Sequence, residues 1–332
     1  MYSNSILSII TPNYNSFYLM SKWIERYRKV NNPQIEWVVV DDCSTDDSYQ
    51  QLLRFRDENP ELNVSIYQSE KNSGPGVTRN LGVQKAKGEY LTFLDSDDFF
   101  DDSFWLVVEP EMQKNRDCII FDSCFYYDDE HQRGWPIFRN GQLEGVVTTE
   151  EAIVHVIGAP WGKIYRRDII IDNHVTFLAQ KRNEDLPFTK HALSCCKDII
   201  YIKQPLYYYV QQENSLIHDA TLTNFSNTIN AFSYIRENIE LRYPCEVEAL
   251  FVSVYLYALA LQSYKSLPKK EYFQGLREAE QMFPEYYSNP YLKYSTLQQK
   301  LVIACVRHKL YFGIQLVLWL QKLRNRRLYR TR

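Results

Sequence analysis

Gly88-Glu89-Tyr90-Leu91-Thr92-Phe93-Leu94-Asp95-Ser96-Asp97-Asp98 is the stretch on which the reading of the fold turns. An apolar run ends abruptly in three carboxylates. Leu91, Phe93 and Leu94 predict a buried strand, bounded upstream by Gly88. Asp95, Asp97 and Asp98 then fall at its carboxyl end, the edge where open α/β sheets bind ligands. Clustered carboxylates ionise poorly unless a cation neutralises them. Hard oxygen donors around a partly hydrated site suit Mg²⁺ or Mn²⁺, which can bridge to a diphosphate. The stretch therefore reads as a metal–nucleotide site; its plainer reading is a solvated acidic turn capping the next helix.

Outward from it, the pattern alternates. Ser5 to Ile10 reads as a first buried strand ending at Thr11-Pro12-Asn13-Tyr14-Asn15, with a helix over about 17–30 after it. Gln34 to Asp41 is a second strand, almost continuously apolar as in a parallel sheet covered on both faces. It runs into Asp41-Asp42-Cys43-Ser44-Thr45-Asp46 and a helix to about residue 56. Asn63 to Gln68 is a third strand, followed by the loop Lys71-Asn72-Ser73-Gly74-Pro75-Gly76 and a helix to about residue 87. Strand and helix in alternation predict a doubly wound, mostly parallel α/β sheet with right-handed crossovers. Its loops bring Tyr14 and Asn15, Asp41 and Asp42, and Asp95 and Asp97 to one edge.

Beyond residue 100 the rhythm changes. A helix near 103–115 leads to a strand at Cys118 to Phe121, then a mixed stretch with a helix started by Thr148 or Thr149. Trp161 to Arg167 precedes another helix, and Arg182 to Phe188 opens one more. Ile199 to Ile202 and Leu206 to Val210 are the last expected strands. Residues 1–215 then form the α/β domain, and 216–332 a helical C-terminal region.

The 332 residues are 45% hydrophobic, enough for one large domain and a smaller one. Tyr is abundant, with 26 residues, which supplies either stacking faces for sugars and bases or ordinary packing. A net charge of −3 argues against a general nucleic-acid binder. The average conceals nine Lys or Arg and no acid from Lys300 to Arg332, leaving −12 on the other 299 residues. That end, with Phe312, Ile314, Leu316, Val317, Trp319, Leu320 and Leu323 ahead of its last five arginines, suits an anionic membrane surface, a docked helix or a homodimer seam. Seven cysteines without metal spacing or a signal peptide imply a reduced, cytoplasmic chain, peripheral at most on the inner face of the membrane. No transmembrane helix is expected, since the longest apolar run, Ala249 to Leu261, is short of a bilayer span.

The strand-end blocks together resemble the family 2 glycosyltransferases with the GT-A fold. The matching pieces are Ile9 to Asn15, Val40 to Asp46, Asn72 to Gly82, Gly88 to Asp98 and, more weakly, Asn183-Glu184-Asp185. The resemblance implies an inverting sugar transfer from a nucleoside-diphosphate donor, UDP favoured, to a hydroxyl acceptor in surface polysaccharide assembly. The acceptor could be carried on a lipid diphosphate. By the same resemblance Thr11, Pro12, Tyr14 and Asn15 line the base pocket, and Asp41 accepts from base or ribose. Asp42 and Ser44 shape that turn. Asn72 and Gly74 belong to the donor loop, and Arg79 faces the nucleotide or diphosphate. Ser96 lies between the two acids of the DxD pair. Asp97 is expected to bind Mn²⁺ or Mg²⁺ directly, Asp95 to touch ribose or the metal, and His218 either to complete the metal shell or to stand as a surface histidine. Asp185 is the expected base, kept ionised by a helix N-terminus, with Glu184 supporting it. Lys163, in Trp161-Gly162-Lys163, is expected to neutralise phosphate, and Trp161 to stack on a pyranose or pack in the core.

Two departures stand out. Cys43 occupies a place where the family usually has Gly, and Thr78 one where Ala is usual. Other classes compete: a metal-dependent phosphohydrolase on the Asp95-Ser96-Asp97 pair, a dinucleotide oxidoreductase on Gly74-Pro75-Gly76, and a non-catalytic nucleotide-binding module. The phosphohydrolase pattern wants Thr or Val soon after the second acid, and the oxidoreductase pattern wants Gly at Arg79.

Overall fold

Six of the seven residues of β1 (Leu7–Asn13) are buried, and this strand seats the sheet. In the computed structural model, described over residues 6–30, 32–127, 132–135, 144–180, 182–211, 222–266, 268–310 and 312–319, the chain divides into two compact units, Met1–Leu216 and Ile217–Arg332.

In the first unit β1 runs parallel to β2 (Ile35–Asp41) on one side and β4 (Tyr90–Phe93) on the other. β3 (Val64–Gln68) extends the parallel set beyond β2. Every residue of β2 is buried, as the unbroken apolar run requires. The sheet order is β3, β2, β1, β4, β9 (Lys163–Arg166), β6 (Cys118–Tyr126), β10 (Ile199–Val210) and β5 (Phe99–Phe100). β6 and β10 are parallel to each other, and β9 lies antiparallel between β4 and β6. The short strands β5, β7 (Gln132–Trp135) and β8 (Gly145–Val147) pair antiparallel along the edges.

The helices are α1 (Phe17–Met20) and α2 (Ile24–Val30), then α3 (Ser48–Glu58), α4 (Pro75–Lys85) and α5 (Phe104–Gln113). The single helix expected over 17–30 is thus broken by a 3₁₀ turn at Ser21–Trp23. Further on come α6 (Thr149–His155), α7 (Arg167–Asp172) and α8 (Asp185–Cys195). Thr148 and Glu151 close a capping box at α6, as the sequence foretold.

Three strand expectations change, the first being β5, which no sequence pattern announced. β9 was not expected at all, because Lys163 sits inside its four residues and reads as polar. The two strands expected at 199–210 are one, bent by register shifts around Pro205. A proline fits there because a bulge leaves its missing N–H unneeded.

Buried Glu36 fixes where the pivotal stretch begins. Its Oε1 accepts from Ser8 Oγ at 2.5 Å and from the Gly88 N–H at 3.1 Å. A side chain at Gly88 would put a Cβ 2.6 Å from Ser8 Oγ, so only glycine lets the chain enter β4 this close to β1.

The second unit is helical: α9 (Leu222–Ile235), α10 (Pro244–Leu250), α11 (Tyr257–Ser266), α12 (Lys269–Met282) and α13 (Leu297–Arg307), with a further helix over 312–319. A π-helical stretch, Phe251–Leu256, joins α10 to α11. The run Pro244–Leu261 is long and apolar enough to cross a membrane, but 65% of it is buried inside the unit. Val247, Phe251, Leu256 and Leu259 are its core.

Candidate active site

Parallel pairing puts the carboxyl ends of β1, β2 and β4 on one edge, with Asn13 level with Asp41 and Ile10 level with Phe93. Three loops leave that edge, and side chains bind them to one another. Asn13 Nδ2 donates to Asp41 Oδ1 at 2.8 Å. Asn15 Oδ1 accepts from the N–H groups of Thr45 at 2.8 Å and Asp46 at 3.2 Å. Ser16 Oγ bonds Asn13 Oδ1 and meets Ser96 Oγ, both at 2.9 Å. The first loop is therefore tied to the second and to the acidic turn.

Several expected donor contacts take a different form. Asp41 is fully buried and accepts from four donors: Asn13, the backbone and hydroxyl of Ser44, and Gln68. It braces the turn; a bond to a base or ribose would require Ser44 or Gln68 to let go. Asn15 is likewise spent on Thr45 and Asp46. Thr11 is fully buried, its Oγ1 accepting from Trp37 Nε1 at 2.8 Å. Pro12 is half-buried and Tyr14 is 44% exposed, so these two remain open at the sheet edge. Asp42 shapes the donor loop, accepting from the N–H groups of Ser73 at 3.0 Å and Gly74 at 2.7 Å. Asn72 is exposed beside them.

Cys43 has φ +58°, in the left-handed region that glycine enters freely. The turn kept the shape that explains the family's glycine and took a strained cysteine instead. Gly74, at φ +88°, opens α4.

Arg79, on α4, organises the acids. Its guanidinium is buried and reaches Asp95 at 2.7 Å, Asp185 at 2.9 Å and Glu184 at 3.3 Å. Burial opposes its charge, but Asp185, Asp95 and Glu184 together hold it firmly protonated. Arg79, expected to face the nucleotide or diphosphate, here clasps the Asp95-Ser96-Asp97 turn to the start of α8.

The segment ahead of α8 is seated on α4 as well. Asn80 Nδ2 donates to Phe177 O at 2.8 Å, and the Phe177 N–H donates to Asn80 Oδ1 at 2.9 Å. The Phe177 ring stacks on Phe188 at 3.7 Å between centroids. A Cβ on Gly76 would lie 2.7 Å from Leu178 O and 3.1 Å from Glu184 Cγ. Asn183, at φ +60°, turns the chain into Glu184-Asp185, a conformation asparagine tolerates.

The acids carry perturbed affinities for protons. Burial and then Asp95 push Asp97 up to about 6. Asp98, which sequence reasoning left without a role, is buried and held well above the ordinary carboxylate range by burial and by Asp97 and Asp95. It accepts from Tyr207 Oη at 2.5 Å and the Val210 N–H at 2.8 Å, anchoring the turn to β10. Tyr207 gave no sign of this partnership in sequence, since one tyrosine among 26 carries no spacing signal.

Asp185 is pushed up to about 7, by burial first and then by Glu184 and Asp95, with Arg79 pulling the other way. This push runs against the ionised state expected of a carboxylate at a helix N-terminus. Since 36% of its side chain is open, solvent screens part of this push, and the upward direction is the firm part.

Lys163 also departs from expectation. It is fully buried, its Nζ donates to Ala159 O at 2.7 Å and Trp161 O at 3.1 Å, and burial lowers it to about 7. It holds the turn before β9 rather than standing as a surface cation for phosphate. Trp161 is buried and stacks on Tyr207 at 4.8 Å, the packing role of the two weighed. His218 lies outside the described residues.

The residues present fit a divalent cation. Asp95 and Asp97 are two hard oxygen donors on one turn. Among the described residues no three His, Cys, Asp or Glu side chains form a metal cluster. One or two carboxylates completed by substrate phosphate is the usual pattern for Mg²⁺.

The model of the family described as glycosyl transferase family 2 matches residues 8–173, half of the chain. The chain belongs to that family. It is similar to the poly(ribitol-phosphate) beta-N-acetylglucosaminyltransferase TarS of Staphylococcus aureus, 31% identical over 220 residues, which cover 61% of this chain. The match spans 35% of that relative's length. The crystal structure of S. aureus TarS 1-349 in complex with UDP-GlcNAc superposes with a TM-score of 0.72 at 21% identity, over 96% of this chain and 92% of that one. A mannosyltransferase from Pyrobaculum calidifontis, PcManGT, in complex with GDP-Man and Mn²⁺ gives 0.55 at 16% identity, over 93% of this chain and 88% of that one. The sheet of this family 2 chain is thus of the GT-A kind. Its helical unit, which matched nothing nameable in sequence, falls within the superposed span.

Proposed function

We propose that this chain transfers a sugar from a nucleoside-diphosphate donor, UDP favoured, to a hydroxyl of a surface-polymer acceptor, with inversion. The observation that carries the reading is the Arg79 clasp, which joins an acid of the DxD turn to the acid pair opening α8. Family membership and the UDP-GlcNAc named with the TarS structure support the donor class. The poly(ribitol-phosphate) named for TarS supports a polyol or glycan polymer as acceptor.

Tyr14 and Pro12 offer a face for the base, and Gly74 lets backbone approach the diphosphate. Mn²⁺ or Mg²⁺ bound at Asp95 and Asp97 would neutralise charge on the departing diphosphate. The acceptor oxygen attacks the anomeric carbon from the face opposite the leaving group. The bond to the diphosphate breaks with its electron pair leaving on the phosphate oxygen, and the acceptor proton passes to an Asp185 carboxylate oxygen. A pKa near the working pH suits this task, because the base is then available and still strong. Glu184 and Arg79 fix its position.

The phosphohydrolase and oxidoreductase readings leave the acid pair opening α8 without a role. We place the work on the cytoplasmic side, where seven free thiols persist. The test is Asp185→Asn with UDP-sugar donors and a polyol-phosphate acceptor. The variant should keep donor binding and lose transfer by at least about 100-fold, in line with general-base catalysis. Undiminished transfer would remove Asp185 from the role. A wild type that binds donor yet transfers to no acceptor would favour a binding module.

A further inference from the structure

No acid follows Glu285. Residues 286–332 carry ten Lys or Arg and no Asp or Glu. The described part of this segment is also the most openly apolar surface of the helical unit. α13 buries Val302, Ile303 and Val306 on one face and turns Leu297 (76% exposed) and Leu301 (46%) outward. In the helix over 312–319, Ile314 and Val317 point inward, while Phe312 (71%), Leu316 (54%) and Trp319 (56%) are exposed. Those three stand at positions i, i+4 and i+7, which align on one stripe. Exposed Lys300, His308 and Lys309 lie on the same segment.

We propose that this surface docks on an anionic lipid bilayer. An aromatic and aliphatic stripe gains by entering the headgroup boundary, and a segment with only positive charge gains from acidic lipid. The two signals together make the stable form of peripheral attachment, whereas one alone gives weak, reversible binding. A second copy of this chain fits less well. A two-fold interface would set two all-basic segments against each other with no acid on either to answer them. A soluble polyanion would use the charge and leave Phe312, Leu316 and Trp319 without a role.

The test is co-sedimentation of the full chain with vesicles of phosphatidylcholine, with and without phosphatidylglycerol, and it requires no catalysis. The full chain should sediment with the anionic vesicles and not with the neutral ones, and high salt should weaken the binding. Combining Phe312→Glu, Leu316→Glu and Trp319→Glu should reduce vesicle binding at least tenfold with the melting temperature unchanged, since all three side chains point outward. A second variant, Leu316→Ser with Trp319→Ser, keeps the charge and should also bind more weakly. The proposal is overturned if anionic vesicles capture no wild type, or if both variants bind as well as it does. It is equally overturned if the stripe variants only dissolve a dimer, or leave vesicle binding intact while heparin displaces all of it.

Discussion

Arg79 reaches Asp95, Glu184 and Asp185 together, so its removal has a definite cost. Arg79→Met leaves buried carboxylates without a partner and should destabilise the chain by about 3 kcal/mol at pH 8. Chemical denaturation measures this, and the loss should shrink toward pH 5 as Asp185 takes up a proton. Asp97 gives the opposite sign. Its folded carboxyl is pushed up to about 6, above the roughly 3.9 of an unfolded chain. Its favourable contribution is therefore full below about pH 4 and lost as pH rises through about 6. Without donor or divalent cation, Asp97→Asn should be more stable than wild type at pH 8 by about 1–2 kcal/mol and level with it near pH 4. Catalysis has its own titration: turnover should fall as pH drops through about 7, where Asp185 becomes protonated. A flat pH–rate profile between 5 and 8 would argue against that base. At the turn after β2, Cys43→Gly should hold or raise stability by up to about 1 kcal/mol, and Cys43→Val should lower it, because φ +58° disfavours a branched side chain.

At the scale of elements, α4 is the template for the acid pair. Gly76→Ala should leave the sheet intact by circular dichroism yet cut turnover at least tenfold, since its Cβ would displace Leu178 and Glu184. Asn80→Ala should lower kcat more than it raises donor KM, because Asn80 holds Phe177 and not the donor. The sequence pattern made the parallel half of the sheet legible: β2 and β4 announce themselves by apolar runs that end in acids. The position of the loop acids was also legible, because the strands they follow end at one edge of the sheet. What stayed hidden was reach. Asn15 and Asp41 read as ligand contacts, but Asp41 bonds Asn13, Ser44 and Gln68, and Asn15 bonds Ser44 to Asp46, since polar groups at a crowded edge satisfy each other first. β9 was masked by Lys163, whose buried amine is held by the Ala159 and Trp161 carbonyls of the turn just before the strand. The partnership of Asp98 and Tyr207 joins residues 109 apart, a distance over which no periodicity speaks.

At the scale of the whole molecule, the first unit carries the donor edge and the acid pair, and the second carries the basic, openly apolar segment. The apolar run read from sequence, Ala249 to Leu261, lies within the helical span Pro244–Leu261, 65% of which is buried. The superposition over 96% of the chain gives the helical unit a counterpart that no motif had supplied. The account rests on a nucleoside diphosphate and a divalent cation meeting at the tip of β4. Calorimetric titration of the wild-type chain with UDP, in Mn²⁺ and in chelator, tests that most directly. Saturable one-to-one binding that requires Mn²⁺ and is lost in Asp97→Asn is the predicted result. Binding of equal strength in chelator, or in Asp97→Asn, would contradict it.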